Sequence, residues 1–271
     1  MGSPPRWADP DKARAYQQWT VDPCGVSTSQ HPLGTREFFA DVEWHRYQEY
    51  APWMRAVMGF DRYAGRRLLE VGCGMGTDLA QFARAGSRVC GTDLTLRSLE
   101  IARHRFALDG LSGQFLSCDA EALPFPPESF EVVYSNGVLH HTPDTAKAIE
   151  EIYRVLMPGG TAMVMLYHRH SLYYWGRLFF WFGLLRGELW RKSMAEILRE
   201  RVEYSTSNAR PLVKVYSRGE ARRLFQAFRR VEVSVRQLTL NFLPLPRAWR
   251  RVLASWLEPL AGWNLIIKAQ K

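Results

Sequence analysis

Cysteine is scarce in this sequence, and its placement indicates neither a metal site nor a disulfide framework. The four cysteines lie far apart, with no Cys-x-x-Cys pair and no Cys/His cluster, at Cys24, Cys73, Cys90 and Cys118. This spacing excludes the usual zinc patterns and favours a reducing compartment. We therefore predict no bound metal ion.

Long uninterrupted apolar runs are also missing. The first ten residues, MGSPPRWADP, contain no apolar core for a signal peptide, and Arg6 stands where a myristoylation signal needs Ser or Thr. The aromatic segment 171–190 is interrupted by Arg177 and falls short of the roughly 20 apolar residues that span a bilayer. We expect a cytoplasmic protein without a membrane span.

Negative charge is scarce in the second part of the chain. Residues 161–271 contain 20 Lys and Arg against 7 Asp and Glu, whereas residues 1–160 contain 16 against 20. Such asymmetry is typical of contact with anionic lipid, nucleic acid or an acidic partner, but arginine-rich helices are also often simply solvated. Both interpretations stay open from charge alone.

Strand-like and helical runs alternate through the middle of the chain. The strand-like runs are 67–72, 87–93, 113–119, 130–136 and 160–167, and the helical runs between them are 77–85, 96–108 and 145–156. This alternation predicts βαβ crossovers and a parallel, doubly wound α/β sheet with helices on both faces. The pattern breaks after the fifth strand and resumes with helices at 219–228 and 247–257 and strands at 231–238 and 263–270.

The same pattern divides the chain into four regions. Residues 1–60 are predicted to be an arm, loosely structured to about residue 36, followed by a helical cap. Residues 61–168 form the core, residues 169–217 an insertion, and residues 218–271 the completion of the core.

A glycine-rich loop, LLEVGCGMGTDL, joins the first strand to the first core helix. Gly72, Gly74 and Gly76 allow tight turns and close approach of a ligand, and the helix starting near Thr77 presents free N–H groups there. The spacing is GxGxG, which disfavours the GxGxxG dinucleotide fingerprint of dehydrogenases. The loop predicts a nucleotide-like ligand, with a purely structural turn as the alternative.

Two aspartates follow the next strands at the same predicted sheet edge. Asp93 lies 17 residues beyond Gly76, where its carboxylate suits ribose hydroxyls, and Asp119 in CDAEALPF suits an exocyclic amine such as that of adenine. Either aspartate alone is equally consistent with a helix N-cap. Their joint placement favours a nucleoside site.

Four successive motifs resemble those of class I S-adenosylmethionine-dependent methyltransferases. They are LLEVGCGMGTDL, GTDLT, DAEALPFPPESFEVVYSNGVLHHTPD and EIYRVLMPGG, and they cover roughly residues 60–168, with a plausible end in 219–270. The most similar branch includes the ubiquinone and menaquinone biosynthesis C-methyltransferases. The resemblance implies a Rossmann-like sheet of seven strands whose last strand inserts antiparallel, S-adenosylmethionine as cofactor and S-adenosylhomocysteine as product.

The resemblance also implies the cofactor-binding residues. Glu70 and the three loop glycines surround the methionine part, Asp93 binds the ribose, Asp119 with Ala120 flanks the adenine, and Asn136 faces the methionine end. The predicted set is completed by Cys73 and Leu94.

A base is needed if the methylated atom is a hydroxyl oxygen or an acidic carbon, and histidine is the usual choice near neutral pH. GVLHHTPD supplies His140 and His141 just beyond the fourth strand. The pair is equally typical of a helix cap or of packing. His45 and Tyr167 are further candidates.

Nucleic-acid base methylation is disfavoured by a missing motif. Methylases of base amino groups typically carry Asn/Asp-Pro-Pro-aromatic after the fourth strand, where this chain reads Ser135-Asn136-Gly137-Val138. Methylation of base amino groups is therefore disfavoured and a nucleic-acid partner is not the expected one, whereas ribose methylation or C-methylation stays open.

The aromatic segment 171–190 has three interpretations. It is a lid that lines an apolar pocket, an amphipathic element on a membrane surface, or an ordinary core or dimer-interface helix. Either functional interpretation predicts a hydrophobic or aromatic acceptor.

The sequence thus predicts methyl transfer to O or C of a small, hydrophobic or aromatic acceptor. The alternatives are an RNA or protein methyltransferase that uses the basic C-terminal half, and a cofactor-binding interaction protein without catalysis. The sequence leaves the oligomeric state open.

Overall fold

The computed structural model describes residues 8–203, 207–238, 240 and 246–271, and a sheet of seven strands runs through them. The strands are β1 (Arg67–Val71), β2 (Arg88–Asp93), β3 (Gln114–Ser117), β4 (Phe130–Asn136), β5 (Leu156–Tyr167), β6 (Arg230–Arg236) and β7 (Asn264–Gln270). Their order across the sheet is β3-β2-β1-β4-β5-β7-β6. Strands β1 to β5 are parallel, and β7 is antiparallel to both of its neighbours.

Helices cover both faces of this sheet. They are α1 (Pro10–Val21), α2 (Arg36–Trp44), α3 (Met54–Met58), α4 (Thr77–Arg84), α5 (Leu96–Leu108), α6 (Thr145–Val155), α7 (Met194–Arg201), α8 (Arg218–Leu224) and α9 (Arg247–Ala261). Two π-helices, His45–Tyr50 and Tyr173–Leu185, accompany them.

The core has one apolar layer on each side of the sheet. Successive strand residues point to opposite faces, so Leu68 packs in one layer and Leu69 in the other, as do Met163 and Val164. All four side chains are at most 1% exposed, which is why these strands read as continuous apolar runs. The predicted fold class is confirmed, including the antiparallel last strand.

Helix α1 is a difference from the prediction of a loosely structured arm. Asp9 caps its first turn by accepting hydrogen bonds from the backbone N–H groups of Asp11 (2.7 Å) and Lys12 (3.3 Å), and Pro10 occupies the first helical position. Both are strong helix-start signals. Ala15 and Gln18 are buried, so contacts with the rest of the chain hold this helix in place.

The insertion after β5 is anchored by a few apolar side chains. Leu178 of the π-helix and Ile197 and Leu198 of α7 are buried in one core layer. Most other large apolar residues of segment 171–190 are partly or fully exposed. Among the described helices, none is long and apolar enough to cross a bilayer.

Candidate active site

A cavity of about 1190 Å³ lies at the carboxyl ends of the parallel strands. Gly72 after β1, Asp93 at the end of β2 and Asn136 at the end of β4 line it, because this edge of a doubly wound sheet forms the usual ligand crevice. Helix α1 and the π-helix Tyr173–Leu185 also contribute lining residues. We call its two parts the glycine-loop end (Gly72, Gly74, Asp93, Leu94, Asp119, Ala120) and the aromatic end (Trp19, Tyr50, His141, Tyr167, Tyr173, Trp181, Glu203, Trp263).

The three loop glycines have different roles. Their φ angles of +73°, +51° and +72° at Gly72, Gly74 and Gly76 lie in the left-handed region. A Cβ at Gly72 would lie 2.2 Å from a methyl group of Val138, whereas a Cβ at Gly74 would meet no atom within 4 Å. Gly72 therefore permits close packing, and Gly74 leaves open space in a loop that lines the cavity.

Asp93 braces the glycine loop. One carboxylate oxygen accepts the backbone N–H of Gly74 at 2.9 Å, and the other accepts both the N–H and the hydroxyl of Thr95, each at 2.9 Å. Burial raises the pKa of Asp93, although these hydrogen bonds oppose the shift. The carboxylate is thus fixed in orientation at the cavity surface, next to Leu94.

Asp119 and Ala120 line the cavity near helix α1. The ammonium group of Lys12 lies 2.5 Å from a carboxylate oxygen of Asp119 and 2.5 Å from one of Glu121. Burial opposes the charge of Lys12, but the two carboxylates raise the pKa of its ammonium group above the ordinary value. These ion pairs hold α1 over this part of the cavity.

Three residues predicted to bind the cofactor do not line the cavity. Glu70 and Cys73 are 3% and 5% exposed, and Gly76 packs against Ala102 and Phe106 at the start of α4. Burial, followed by the charge of Asp78, raises the pKa of Glu70 well above its ordinary value. All three lie outside the cavity lining, and their contact with the cofactor stays a prediction.

A buried polar cluster connects the loop helix to the N-terminal cap. Asp78 of α4 accepts hydrogen bonds from Arg46 (2.6 Å), Tyr47 (2.6 Å) and Tyr134 (2.8 Å). Burial alone would raise the pKa of Asp78, but Arg46 and the two tyrosines hold it below the ordinary value. Asn136 lines the cavity beside this cluster, and its side-chain oxygen is buried without a hydrogen-bond partner among the described residues.

His141 lies at the aromatic end, where contacts at both ring nitrogens fix the orientation of its imidazole. Its Nδ1 is 2.6 Å from the carbonyl oxygen of Leu212, and since a carbonyl only accepts, Nδ1 carries the proton. Its Nε2 lies 3.5 Å from a carboxylate oxygen of Glu203, which also accepts the Tyr167 hydroxyl at 2.7 Å. Burial opposes the charge of Glu203, but its contacts with His141 and Tyr167 lower its pKa. The ring is therefore held with its Nδ1 on a carbonyl oxygen and its Nε2 towards a carboxylate.

The other two histidine candidates differ in their access to the cavity. His140 is fully buried, stacks on Tyr167 with ring centroids 3.8 Å apart, and does not line the cavity. Burial, then the neighbouring His141, lowers the pKa of His140 well below its ordinary value, so its ring is neutral. His45 lines the cavity, and its Nδ1 is 2.9 Å from Glu49.

His140 also belongs to the one group in the described residues that could hold a metal ion. The ligand atoms of His140, His141 and Glu203 lie within 4.8 Å of one another. The absence of a metal, which the sequence predicts, stays a prediction.

Aromatic rings form the walls around His141. The Trp19 ring meets the His141 ring edge-to-face at 5.7 Å, and Trp263 stacks on Tyr167 at 4.5 Å. Segment 171–190 adds lining residues, namely Leu172, Tyr173, Gly176, Arg177 and Trp181. This end is therefore suited to a flat, apolar group.

Comparison with known sequences assigns the core of the chain. A sequence family described as methyltransferase domain matches residues 69–164, which include the glycine loop, both aspartates and His141. The chain contains a class I S-adenosylmethionine-dependent methyltransferase domain. The cofactor of this domain is S-adenosylmethionine, and S-adenosylhomocysteine is the product.

The chain has relatives with different substrates in their names. It is 37% identical over 131 residues to a demethylmenaquinone methyltransferase of Thermus thermophilus, which is 47% of this chain and 56% of that protein. It is 35% identical over 112 residues to a ubiquinone biosynthesis O-methyltransferase of Ralstonia nicotianae, which is 41% of this chain and 47% of that protein. The chain spans about half the length of these curated relatives.

Solved structures extend the likeness to most of the chain. A chain from the complex between the Haloferax volcanii Trm112 methyltransferase activator and a methyltransferase has a TM-score of 0.59 at 16% identity and covers 94% of this chain and 96% of that chain. An S-adenosylmethionine-dependent methyltransferase of Mesorhizobium loti has a TM-score of 0.56 at 18% identity, and the match covers 82% of this chain and 99% of that chain. At this identity the likeness shows the methyltransferase fold.

Proposed function

We propose that the protein transfers a methyl group from S-adenosylmethionine to O or C of a small, hydrophobic or aromatic acceptor. The observation that carries this proposal is the cavity itself. Its glycine-loop end belongs to the methyltransferase domain, and its aromatic end places the oriented His141 among aromatic side chains. One space thus adjoins both a cofactor site and a base.

In this proposal the cofactor lies at the glycine-loop end. The open space at Gly74, the fixed carboxylate of Asp93 and the unpartnered side-chain oxygen of Asn136 fit a ligand with hydroxyl and amino groups. In the proposal, Asp119 and Ala120 flank the adenine. In the structure, the carboxylate of Asp119 forms an ion pair with Lys12. Bound S-adenosylmethionine supplies an electrophilic methyl group on its sulfonium.

The chain's own contribution is to orient the acceptor and to remove its proton. His141 takes the proton at Nε2, and Glu203 stabilises the resulting imidazolium while the Tyr167 hydroxyl holds the carboxylate. The aromatic walls exclude water and align a flat acceptor, and such positioning is worth effective molarities of roughly 10⁵ to 10⁸ M.

The first test is calorimetric titration with S-adenosylmethionine and S-adenosylhomocysteine. We expect micromolar binding of both, followed by methyl transfer to members of a panel of phenols, catechols and acidic carbon compounds. Correctly folded protein that binds neither compound would contradict the assignment of the cofactor site.

The role of His141 is tested with His141→Ala. We expect kcat to fall by about 10²- to 10⁴-fold, the range of general-base catalysis, with little change in cofactor affinity. Glu203→Gln should lower kcat less and shift the rate profile to lower pH, because the neutral amide stabilises the imidazolium less. His31→Ala is the matched control, because His31 is an exposed histidine outside the cavity lining, and a His141→Ala rate equal to that of the control would remove His141 from this role.

The basic C-terminal part supports an RNA substrate as a second candidate. Residues 161–271 contain 20 Lys and Arg against 7 Asp and Glu, and such an excess of cationic side chains would contact phosphates. RNA binding that weakens steeply with salt would favour this candidate. The aromatic walls favour the small acceptor over RNA. With a small acceptor, we propose a cytoplasmic protein that contacts the membrane peripherally and has no nucleic-acid partner.

A further inference from the structure

Helix α9 exposes an apolar stripe. Trp249, Val252, Trp256 and Leu260 follow one another at spacings of three and four residues, so they share one side of the helix. These side chains are 68%, 54%, 78% and 66% exposed. An amphipathic helix of a globular protein normally turns such a stripe towards the core. In the described part of the chain, nothing covers it.

The π-helix Tyr173–Leu185 and the turn after it expose a second apolar surface. Leu178 and Gly183 point inward and are buried. The exposed side chains on the outer side are Trp175, Phe180, Trp181, Leu184, Leu185 and Trp190, the last of them 86% exposed. Soluble monomers rarely expose this many large apolar residues together, and such patches mark interaction sites.

Both surfaces adjoin the cavity. Trp181 and Arg177 of the π-helix line it, and both are exposed. Ala261, the last residue of α9, lines the same cavity. Each of the two elements that carry an apolar surface therefore also contributes to the cavity lining.

Uncompensated positive charge accompanies the apolar residues. Arg186 and Arg191 are exposed, and neither forms an ion pair with a described residue. Exposed tryptophans beside basic residues are the composition of elements that lie in the interface of anionic membranes.

We propose that the aromatic segment 171–190 and helix α9 dock the protein on an anionic phospholipid membrane. An isologous contact between two copies is disfavoured, because the symmetry would bring the arginines of both copies together. The anionic headgroups would instead neutralise them, at roughly fivefold in affinity for each arginine. The further step, entry of a lipophilic acceptor from the membrane into the cavity, rests on the proposed function.

Sedimentation with vesicles tests the docking without cofactor or turnover. We expect the full-length protein to bind vesicles of phosphatidylcholine mixed with phosphatidylglycerol, to bind phosphatidylcholine vesicles more weakly, and to be released by salt. Absence of binding to the anionic vesicles by folded protein overturns the proposal. The calorimetric titration with S-adenosylmethionine is independent of this result, so the two proposals fail separately.

Variants on the two surfaces identify the contact. Trp190→Ser and Trp256→Ser lie outside the cavity lining, and each should weaken anionic-vesicle binding by about tenfold through lost apolar burial. Arg186→Gln with Arg191→Gln should weaken it by roughly 25-fold. Trp44→Ser is the matched control, because Trp44 is 58% exposed on α2, outside both elements.

Three outcomes would overturn the assignment. They are equal vesicle binding by the control and the two tryptophan variants, equal binding to neutral and anionic vesicles, and a dimer in sedimentation velocity that Trp190→Ser and Trp256→Ser dissociate. Circular dichroism verifies that each variant is folded.

Discussion

The glycine-loop end of the cavity is shaped mainly by main chain, whereas the aromatic end is shaped by side chains that are distant in sequence. Gly72, Gly74 and Asp93 follow two neighbouring strands, and a backbone N–H and carboxylate hydrogen bond joins them. His141 meets Glu203 and Trp19 only because the insertion and α1 fold back over the sheet. The first end is therefore fixed by the fold, and the second can change while the fold stays the same.

This difference explains the comparisons with known proteins. The matched family covers residues 69–164, which hold the glycine loop, both aspartates and His141. Trp19, Glu203 and Trp263 lie outside that range, and the relatives' names differ in the acceptor. The shared part of the cavity is the part that holds the cofactor in our proposal.

The largest expected effect is that of Asp78→Ala, because Asp78 joins the helix after the glycine loop to the N-terminal cap. Asp78 is 2% exposed and accepts from Arg46 of the cap and Tyr134 of the sheet. Its loss leaves a largely buried arginine without its partner, so we expect the free energy of unfolding to fall by about 3–5 kcal/mol. Urea denaturation measures the change.

The control for Asp78→Ala is Glu150→Ala, which removes an exposed ion pair with Lys147. That change should cost less than about 1 kcal/mol. Equal effects of the two substitutions would show that the buried cluster does not couple the cap to the loop helix.

The second test concerns a valine substitution at the glycine-loop end. It separates the loss of space for the ligand from the backbone strain that valine causes at a positive φ. Gly74 and Gly65 both have positive φ and open space around the position of a Cβ, but only Gly74 lines the cavity. Valine at either position costs about 1–2 kcal/mol in stability. We expect Gly74→Val to weaken S-adenosylmethionine binding by at least about 100-fold in calorimetry, and Gly65→Val to leave it unchanged. Intact affinity would place the cofactor elsewhere.

The smallest expected effect is the pH dependence contributed by Glu70. Burial raises its folded-state pKa well above 4.5, so its contribution to stability is present below the unfolded pKa and is lost as pH rises through the folded pKa. Glu70→Gln should therefore match the wild type near pH 4 and have a larger free energy of unfolding than the wild type at pH 8. Urea denaturation across this pH range measures the difference.

The matched control for Glu70→Gln is Glu100→Gln on the exposed side of α5. Glu100 has a side chain that is 65% exposed, so its substitution should leave the pH dependence unchanged. A Glu70→Gln effect of the same size at every pH would show that Glu70 is not a buried titrating group.

Much of the fold could be predicted because buried strands and amphipathic helices leave local patterns. The predicted bounds of helix Leu96–Leu108 and strand Phe130–Asn136 agree with the structure residue for residue. Helix α1 was missed although its signal, Asp9 followed by Pro10, is present, because the surrounding proline and glycine residues suggested an arm.

The aromatic end could be predicted only in part. His141 follows the predicted fourth strand and Tyr167 ends the fifth, but Glu203 has no local pattern that distinguishes it from other charged residues of the insertion. Nothing in the local sequence distinguishes Asp78 from an ordinary acidic residue in the first turn of a helix, and only the fold brings Arg46 to it. Contacts between residues far apart in sequence leave no periodic signal.

The position of β7 in the sheet has a consequence for how the chain is made. This strand lies between β5 and β6 yet follows both in sequence, with Tyr167 paired to Asn264 and Arg236 paired to the same residue. During translation the open edges of β5 and β6 must therefore wait for residues 264–270 to emerge from the ribosome. Unpaired strand edges recruit other chains. Any nascent or truncated chain that stops before residue 264 is thus a natural client for chaperones and a substrate for quality control.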